Sequence, residues 1–168
     1  GDGDVSGATA TIAWLLSDRA YFANVGDSTL ALGNISPVTG KLTGTFLSID
    51  HRPEREDERA RIEAAGGRVD RARPYGRPNA TPRGPYRVYQ KEHDFPGLMV
   101  SRSLGDGIAH ECGGSERPYI CEHRWQRGDT VIVLASDGLW DVTKPQEAVE
   151  IALKYRNDRD TPNRPAYE

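Results

Sequence analysis

Several features that would assign this chain to a special class are missing from its 168 residues. It has no apolar run of about 18 residues, so we expect no membrane-spanning helix. It opens without a signal-peptide pattern, and its two cysteines, Cys112 and Cys121, lack the CxxC spacing of a zinc site. The formal charge of −3 indicates no polyanion partner, so nucleic acid is not expected. These absences predict an intracellular protein, cytoplasmic or nuclear, and we expect a monomer.

Motifs of several common enzyme and binding classes are also missing. The sequence contains no Walker A motif, no GxGxxG turn after a strand, no GxSxG elbow and no HExxH. Residues 2–7 resemble the start of a calcium-binding loop, but the closing glutamate of an EF-hand would fall at Ala13. A generic calcium-binding module is therefore disfavoured.

What is present is a series of short strands with two helices. The 18 glycines and 11 prolines indicate many turns, and three hairpin-like strands in a row favour an antiparallel sheet. The sequence predicts one α+β domain, with its last strand buried on both faces and its second helix opened by a capping box of Thr143 and Gln146. The predicted strands cover residues 7–16, 19–25, 29–32, 43–49, 98–100, 118–125 and 130–135, the helices cover 54–65 and 144–155, and residues 156–168 are expected to fray.

Residues 68–97 differ from their surroundings. They contain five prolines, and seven Lys or Arg residues against three Asp or Glu residues, with little apolar periodicity. Such a stretch is typical of a solvated surface loop, but it also fits a basic flap beside an anionic substrate. In the second interpretation Arg71, Arg73 and Arg77 are candidate substrate-binding residues.

Acidic residues follow three of the predicted strands, at Asp27, Asp106 and Asp137. Carboxylates at the mouth of a sheet form an oxygen-rich site of the kind that Mg²⁺ and Mn²⁺ prefer. A metal there positions a phosphate and activates a water molecule. The Asp137-Gly138 pair is equally typical of an ordinary turn, so the spacing alone leaves both interpretations open.

Five segments, in the right order, resemble the metal-dependent protein Ser/Thr phosphatases of the PP2C (PPM) family. Each segment is short, but the ordered set is specific. The matches are Ser-Gly-x-Thr-Ala at residues 6–10, Ala-Asn-x-Gly-Asp-Ser at 23–28, Asp-His-x-Pro…Glu-x-x-Arg-Ile…Gly-Gly-x-Val at 50–69, Ser-Arg-x-x-Gly-Asp at 101–106, and Asp-Gly-x-Trp-Asp at 137–141.

The resemblance implies an α-β-β-α sandwich of antiparallel sheets flanked by helices. It also implies two Mg²⁺ or Mn²⁺ ions that activate a water to hydrolyse phosphoserine or phosphothreonine in protein substrates. Carried over by position, Asp137 is a metal ligand, Asp27 binds a further metal, and residues 68–97 form a flap. Arg102, Asp106 and Gly138 are expected to have supporting roles.

The family's Asp-Gly-His-Gly and late Asp-Asn motifs are absent from residues 1–168. The resemblance therefore implies a single partial catalytic domain, incomplete at both ends. Two functions remain open, an active phosphatase and a catalytically inactive relative that binds phosphorylated partners as a scaffold.

Overall fold

Two three-stranded antiparallel sheets form the centre of the fold. The computed structural model describes residues 5–73 and 80–157. The elements are β1 Gly7–Ala8, β2 Ala10–Leu15, β3 Arg19–Val25, β4 Thr29–Ile35, β5 Leu42–Phe46, α1 Glu56–Ala64, β6 Gly67–Arg71, β7 Tyr86–Gln90, β8 Pro96–Leu98, β9 Leu104–Gly105, α2 Gly107–Glu111, β10 Tyr119–Arg124, β11 Asp129–Ala135, α3 Asp137–Trp140 and α4 Pro145–Asn157. One central sheet, the β3 sheet, has the strand order β10-β3-β2, and the other, the β4 sheet, has the order β11-β4-β5.

The two sheets pack face to face around a small core. Phe22 and Ala20 from β3 meet Leu30 from β4, and all three are buried. Helix α4 covers the outer face of the β4 sheet, where an added Cβ on Gly33 would come 3.1 Å from Val149 Cβ. Burial alternates along most of β3, which directs Ala20 and Phe22 into this core. The predicted α+β sandwich of antiparallel sheets is confirmed.

The strand at residues 130–135 differs from its prediction. It belongs to β11, which is half-buried along most of its length and lies at an edge of the β4 sheet as far as residues 5–73 and 80–157 show. The strand between β11 and β5 is β4, which is buried from Thr29 to Gly33. Position in the sheet decides burial, and an apolar run does not reveal that position.

For the basic stretch at residues 68–97 the sequence indicated no regular structure and left open a solvated loop or a basic flap. The structure shows that strands form there. Strands β6, β7 and β8 pair into a third antiparallel sheet, the flap sheet. Val69 and Val88 lie opposite each other in this sheet and pack with Ile62 of α1 and Cys112. The five prolines concealed these short strands, because proline is rare inside a strand. Residues 74–79 lie outside the described part.

The boundaries of the helices shift by one or two residues. Helix α4 begins as predicted near residue 144, but Gln146 does not serve the capping box. Its Oε1 accepts the N–H of Gly44 at 2.8 Å and its Nε2 donates to the Leu42 carbonyl at 3.2 Å, which ties α4 to β5. Of the stretch expected to fray, residues 158–168 lie outside the described part. No helix within residues 5–73 and 80–157 is long and apolar enough to cross a membrane.

Candidate functional site

A cavity of about 280 Å³ opens at one end of the sandwich. Four carboxylates and one guanidinium line it, together with apolar side chains from β5 and α3. The carboxylates come from segments far apart in the sequence. The charged lining residues are Asp27, Asp50, Arg52, Asp137 and Asp141.

Asp27 reaches the cavity from the tight turn between β3 and β4. Gly26 adopts a φ of +87°, and a Cβ there would lie 2.3 Å from Thr9 Cγ2, so only glycine fits without a shift. Asn24 donates a hydrogen bond from Nδ2 to the Ile49 carbonyl at 3.2 Å, which ties the turn to the segment before α1. The Asp27 side chain is therefore held in place and only 8% exposed.

Asp137 reaches the same cavity from the end of β11. The register pairs Ala135 with Thr29, so β11 ends where β4 begins. Trp140 then secures α3 by donating from Nε1 to the Ala135 carbonyl at 2.9 Å and by packing edge-on against Phe46. The prediction that the first three strands form one meander is wrong for the third. Strand β3 pairs with β2, but β4 belongs to the other sheet, and the two sheets meet at this end.

Negative charge is concentrated in the cavity. Burial raises the pKa of Asp27 above its ordinary value, and the charge of Asp137 adds to this rise. The pKa of Asp50 is also raised, again mainly by burial. Arg52 opposes both shifts, and its Nη1 lies 2.9 Å from Asp27 Oδ2. Because neighbouring carboxylates add to the raised pKa of Asp27 and of Asp50, a cation at this place would stabilise the site.

The donor chemistry of the cavity fits a hard divalent cation. Mg²⁺ is commonly held by one or two carboxylates, with water and substrate phosphate completing its shell. Within residues 5–73 and 80–157, no group of three or more His, Cys, Asp or Glu side chains is arranged to hold a metal. Asp27 and Asp137 therefore fit a partly hydrated ion better than a closed protein cage.

The residues predicted to have supporting roles lie at different places. Arg102 does not line the cavity; its Nε donates to Glu58 Oε1 at 3.0 Å. Asp106 has a left-handed φ of 51° and precedes α2, and its N–H donates to the Ser6 carbonyl at 2.8 Å. Gly138 lies in α3 directly after Asp137. Their supporting roles stay predictions.

The predicted substrate-binding arginines are not part of the cavity lining where they are described. The Arg71 guanidinium lies over the Tyr86 ring, 4.7 Å from its centroid. Arg73 also lies outside the lining, and Arg77 is outside the described residues. The arginine that does line the cavity is Arg52.

Three lining residues, Asp50, Arg52 and Asp141, received no role from the sequence. All three stand inside segments that carry the family resemblance, Asp50 and Arg52 at the start of one and Asp141 at the end of another. The signal was thus present in the motifs. Their convergence on one cavity depends on the packing of the two sheets, which the motifs do not describe.

Comparisons with known proteins agree with this fold. The profile of the family described as Protein phosphatase 2C matches residues 3–168. The chain is 35% identical to Probable protein phosphatase 2C 48 of Oryza sativa subsp. japonica, covering 87% of this chain and 40% of that protein. It is 37% identical to Probable protein phosphatase 2C 73 of Arabidopsis thaliana, covering 89% and 38%.

Among solved structures, the serine-threonine phosphatase 2C of Toxoplasma gondii superposes with a TM-score of 0.81 at 28% identity, over 94% of this chain and 49% of that one. A C. elegans sex determining protein, at 23% identity, 90% and 32% coverage and a TM-score of 0.69, shares the fold. The chain spans about 40% of the length of the curated relatives. With a family profile that matches nearly every residue, the chain belongs to the protein phosphatase 2C family.

Proposed function

We propose that the protein containing this chain hydrolyses phosphoserine and phosphothreonine in protein substrates, with Mg²⁺ or Mn²⁺ held in part by Asp27 and Asp137. The observation that carries this proposal is the convergence of both carboxylates on one cavity. Membership of the phosphatase family supports it.

In this proposal the cation is held at the cavity by Asp27 and Asp137, and Asp141 also lines the cavity. When bound, the ion supplies a Lewis acid that polarises phosphate and lowers the pKa of water. Phe46 and Trp140 form an apolar wall that limits water on one side. The Arg52 guanidinium opposes the rise that burial causes in the pKa of the Asp27 carboxyl.

The experiment is a phosphate-release assay on a phosphoserine peptide, with and without Mn²⁺, on the intact protein and on residues 1–168 alone. We expect Mn²⁺-dependent release by the intact protein. Release that persists unchanged after exhaustive chelation would contradict the role of the metal. Activity of residues 1–168 alone would show that Asp27, Asp137 and their neighbours suffice.

The second candidate is an inactive relative that binds phosphorylated partners. It is favoured by the scarcity of grouped ligands among residues 5–73 and 80–157. It is also favoured by the guanidinium–aromatic stacks of the flap sheet, where Arg71 lies over Tyr86 and Arg68 over Tyr89. Phosphopeptide binding without turnover at saturating Mn²⁺ would select this function. In both cases we infer phosphorylated protein partners, an intracellular location and a monomeric state, the last testable by light scattering.

A further inference from the structure

His51 is a buried histidine next to the cavity, and neither proposed function gives it a task. It is 1% exposed and lies between Asp50 and Arg52, which both line the cavity. Its ring points away from the lining, toward the turn that carries Asp27. The Gly26 N–H donates to His51 Nδ1 at 3.1 Å, and the His51 N–H donates to the Gly26 carbonyl at 3.0 Å.

The ring accepts a hydrogen bond from Gly26. The Gly26 carbonyl oxygen also lies 3.2 Å from His51 Nδ1, but the direction of the amide hydrogen is fixed by the backbone. Nδ1 is therefore the acceptor, and the ring proton is on Nε2. Burial, together with the nearby Arg102 charge, lowers the pKa of His51 to about 4, which agrees with a neutral ring.

On its other side, the backbone of His51 is held by a buried hydrogen-bond network. The Ser101 N–H donates to the His51 carbonyl at 2.9 Å, and Ser101 Oγ donates to Glu58 Oε2 at 2.5 Å. Glu58 is fully buried and also pairs with Arg102. His51 is thus held between α1 and the β3–β4 turn by hydrogen bonds on both sides.

We propose that His51 is a positioning residue for Asp27, acting through the Gly26 N–H. The turn has a left-handed Gly26, which is the most flexible residue type, directly before the candidate ligand. A buried acceptor on its N–H restricts the turn to one conformation and keeps the Asp27 carboxylate directed at the cavity. The metal part of this inference rests on the proposed function. Groups that orient a metal ligand typically change metal affinity by about 10–100-fold when they are removed.

Two matched variants of the intact protein test the inference. His51→Asn retains an acceptor near the position of Nδ1, whereas His51→Leu keeps an apolar side chain of similar size without an acceptor. The first measurement is hydrogen exchange of the Gly26 amide in metal-free protein. The second is Mn²⁺ affinity by calorimetry. We expect His51→Leu to lose Gly26 protection and to bind Mn²⁺ about 10–100-fold more weakly, and His51→Asn to stay close to wild type in both.

The outcomes separate this inference from the proposed function. Unchanged Gly26 exchange in His51→Leu, or equal losses in both variants, would overturn the positioning role, since packing alone would then explain His51. Wild-type protein that binds no Mn²⁺ would overturn the metal role of the cavity and the effect of His51 on it. If His51→Leu fails to fold, ¹⁵N NMR of the wild-type ring decides: an unprotonated Nδ1 coupled to the Gly26 amide supports the inference, and a protonated Nδ1 overturns it.

Discussion

Arg52 and Asp27 form an ion pair inside the acidic cavity, with Nη1 2.9 Å from Oδ2. The two residues stand on either side of a β-hairpin and a loop, and the pairing places a cation where the proposal places a metal. In the proposed site Arg52 would therefore compete with the metal for Asp27 and would also attract phosphate. The loss of Arg52 would therefore strengthen metal binding and weaken phosphate binding, and the two affinities can be measured separately.

The first prediction concerns that competition. Arg52→Gln should tighten Mn²⁺ binding severalfold, because a nearby positive charge is removed, and should weaken inhibition by inorganic phosphate. Calorimetry with Mn²⁺ and phosphate inhibition curves measure the two effects. Arg124→Gln, whose side chain is 77% exposed on β10, is the control. Weaker binding of both ligands would mean that Arg52 mainly supports the structure of the cavity.

The second prediction concerns Asp137. Asp137→Asn in the intact protein should reduce Mn²⁺-dependent phosphate release by more than about 100-fold, since even outer partners of metal ligands are worth about 10–100-fold. The fold should persist, because the amide has the same shape and Asp137 lies at the surface of the cavity. Circular dichroism checks the fold. Asp57→Asn, an exposed carboxylate on α1, is the matched control, and retained activity in Asp137→Asn would remove this residue from the site.

The third prediction concerns the three arginines that the sequence proposed for substrate binding. Replacing Arg71, Arg73 and Arg77 together by Gln should raise the KM for a phosphopeptide roughly tenfold, because the loss of three ion pairs with the phosphopeptide, at about 0.5 kcal/mol each, corresponds to that factor. Hydrolysis of a small aryl phosphate should change little. Steady-state kinetics on both substrates make the comparison. An equal loss on the two substrates would argue against a docking role.

The fourth prediction concerns the buried Glu58. Although burial alone would raise it, the pKa of this carboxyl is lowered to about 2 from an ordinary 4.5 by hydrogen bonds from Arg102 and Ser101 and by Arg61. A depressed pKa means that the stabilisation is present above pH 4.5 and is lost as the pH falls toward 2. The pKa difference corresponds to about 3 kcal/mol.

Urea unfolding from pH 7 down to pH 3 measures this loss. Glu58→Gln should be less stable at pH 7 by about 3–5 kcal/mol, because it breaks the ion pairs of a fully buried carboxylate and leaves the half-buried Arg61 and Arg102 without their partner. It should also lack the wild-type decline between pH 4.5 and pH 3. A variant whose stability falls with pH as steeply as wild type would show that other carboxylates cause the acid sensitivity.

Local sequence signals predicted much of this fold. The turn between β3 and β4 follows from the two apolar runs on either side of Gly26-Asp27, and α4 follows from its apolar face. The family resemblance follows from short ordered motifs. In each case neighbouring residues carry the signal, so no knowledge of distant contacts is needed.

The flap sheet and the burial of β4 could not be read in the same way. Strand β6 pairs with β7 across a proline-rich segment, and β4 is buried because β11 and β5 flank it. The burial of β4 depends on β11, which lies far along the sequence, and the β6–β7 pair must close over the segment between its two strands. Pairing over such distances is decided by the packing of the whole domain, which local propensity does not encode.

Contiguous motifs are enough to identify the family, the antiparallel sandwich and the pair Asp27 and Asp137. Folding adds what the motifs do not contain, since Asp50, Arg52 and Asp141 join that pair at one cavity and His51 contacts the Gly26 turn. A cavity forms where separate chain segments meet. Which side chains share it is fixed by sheet register and packing, and these are properties of the folded molecule.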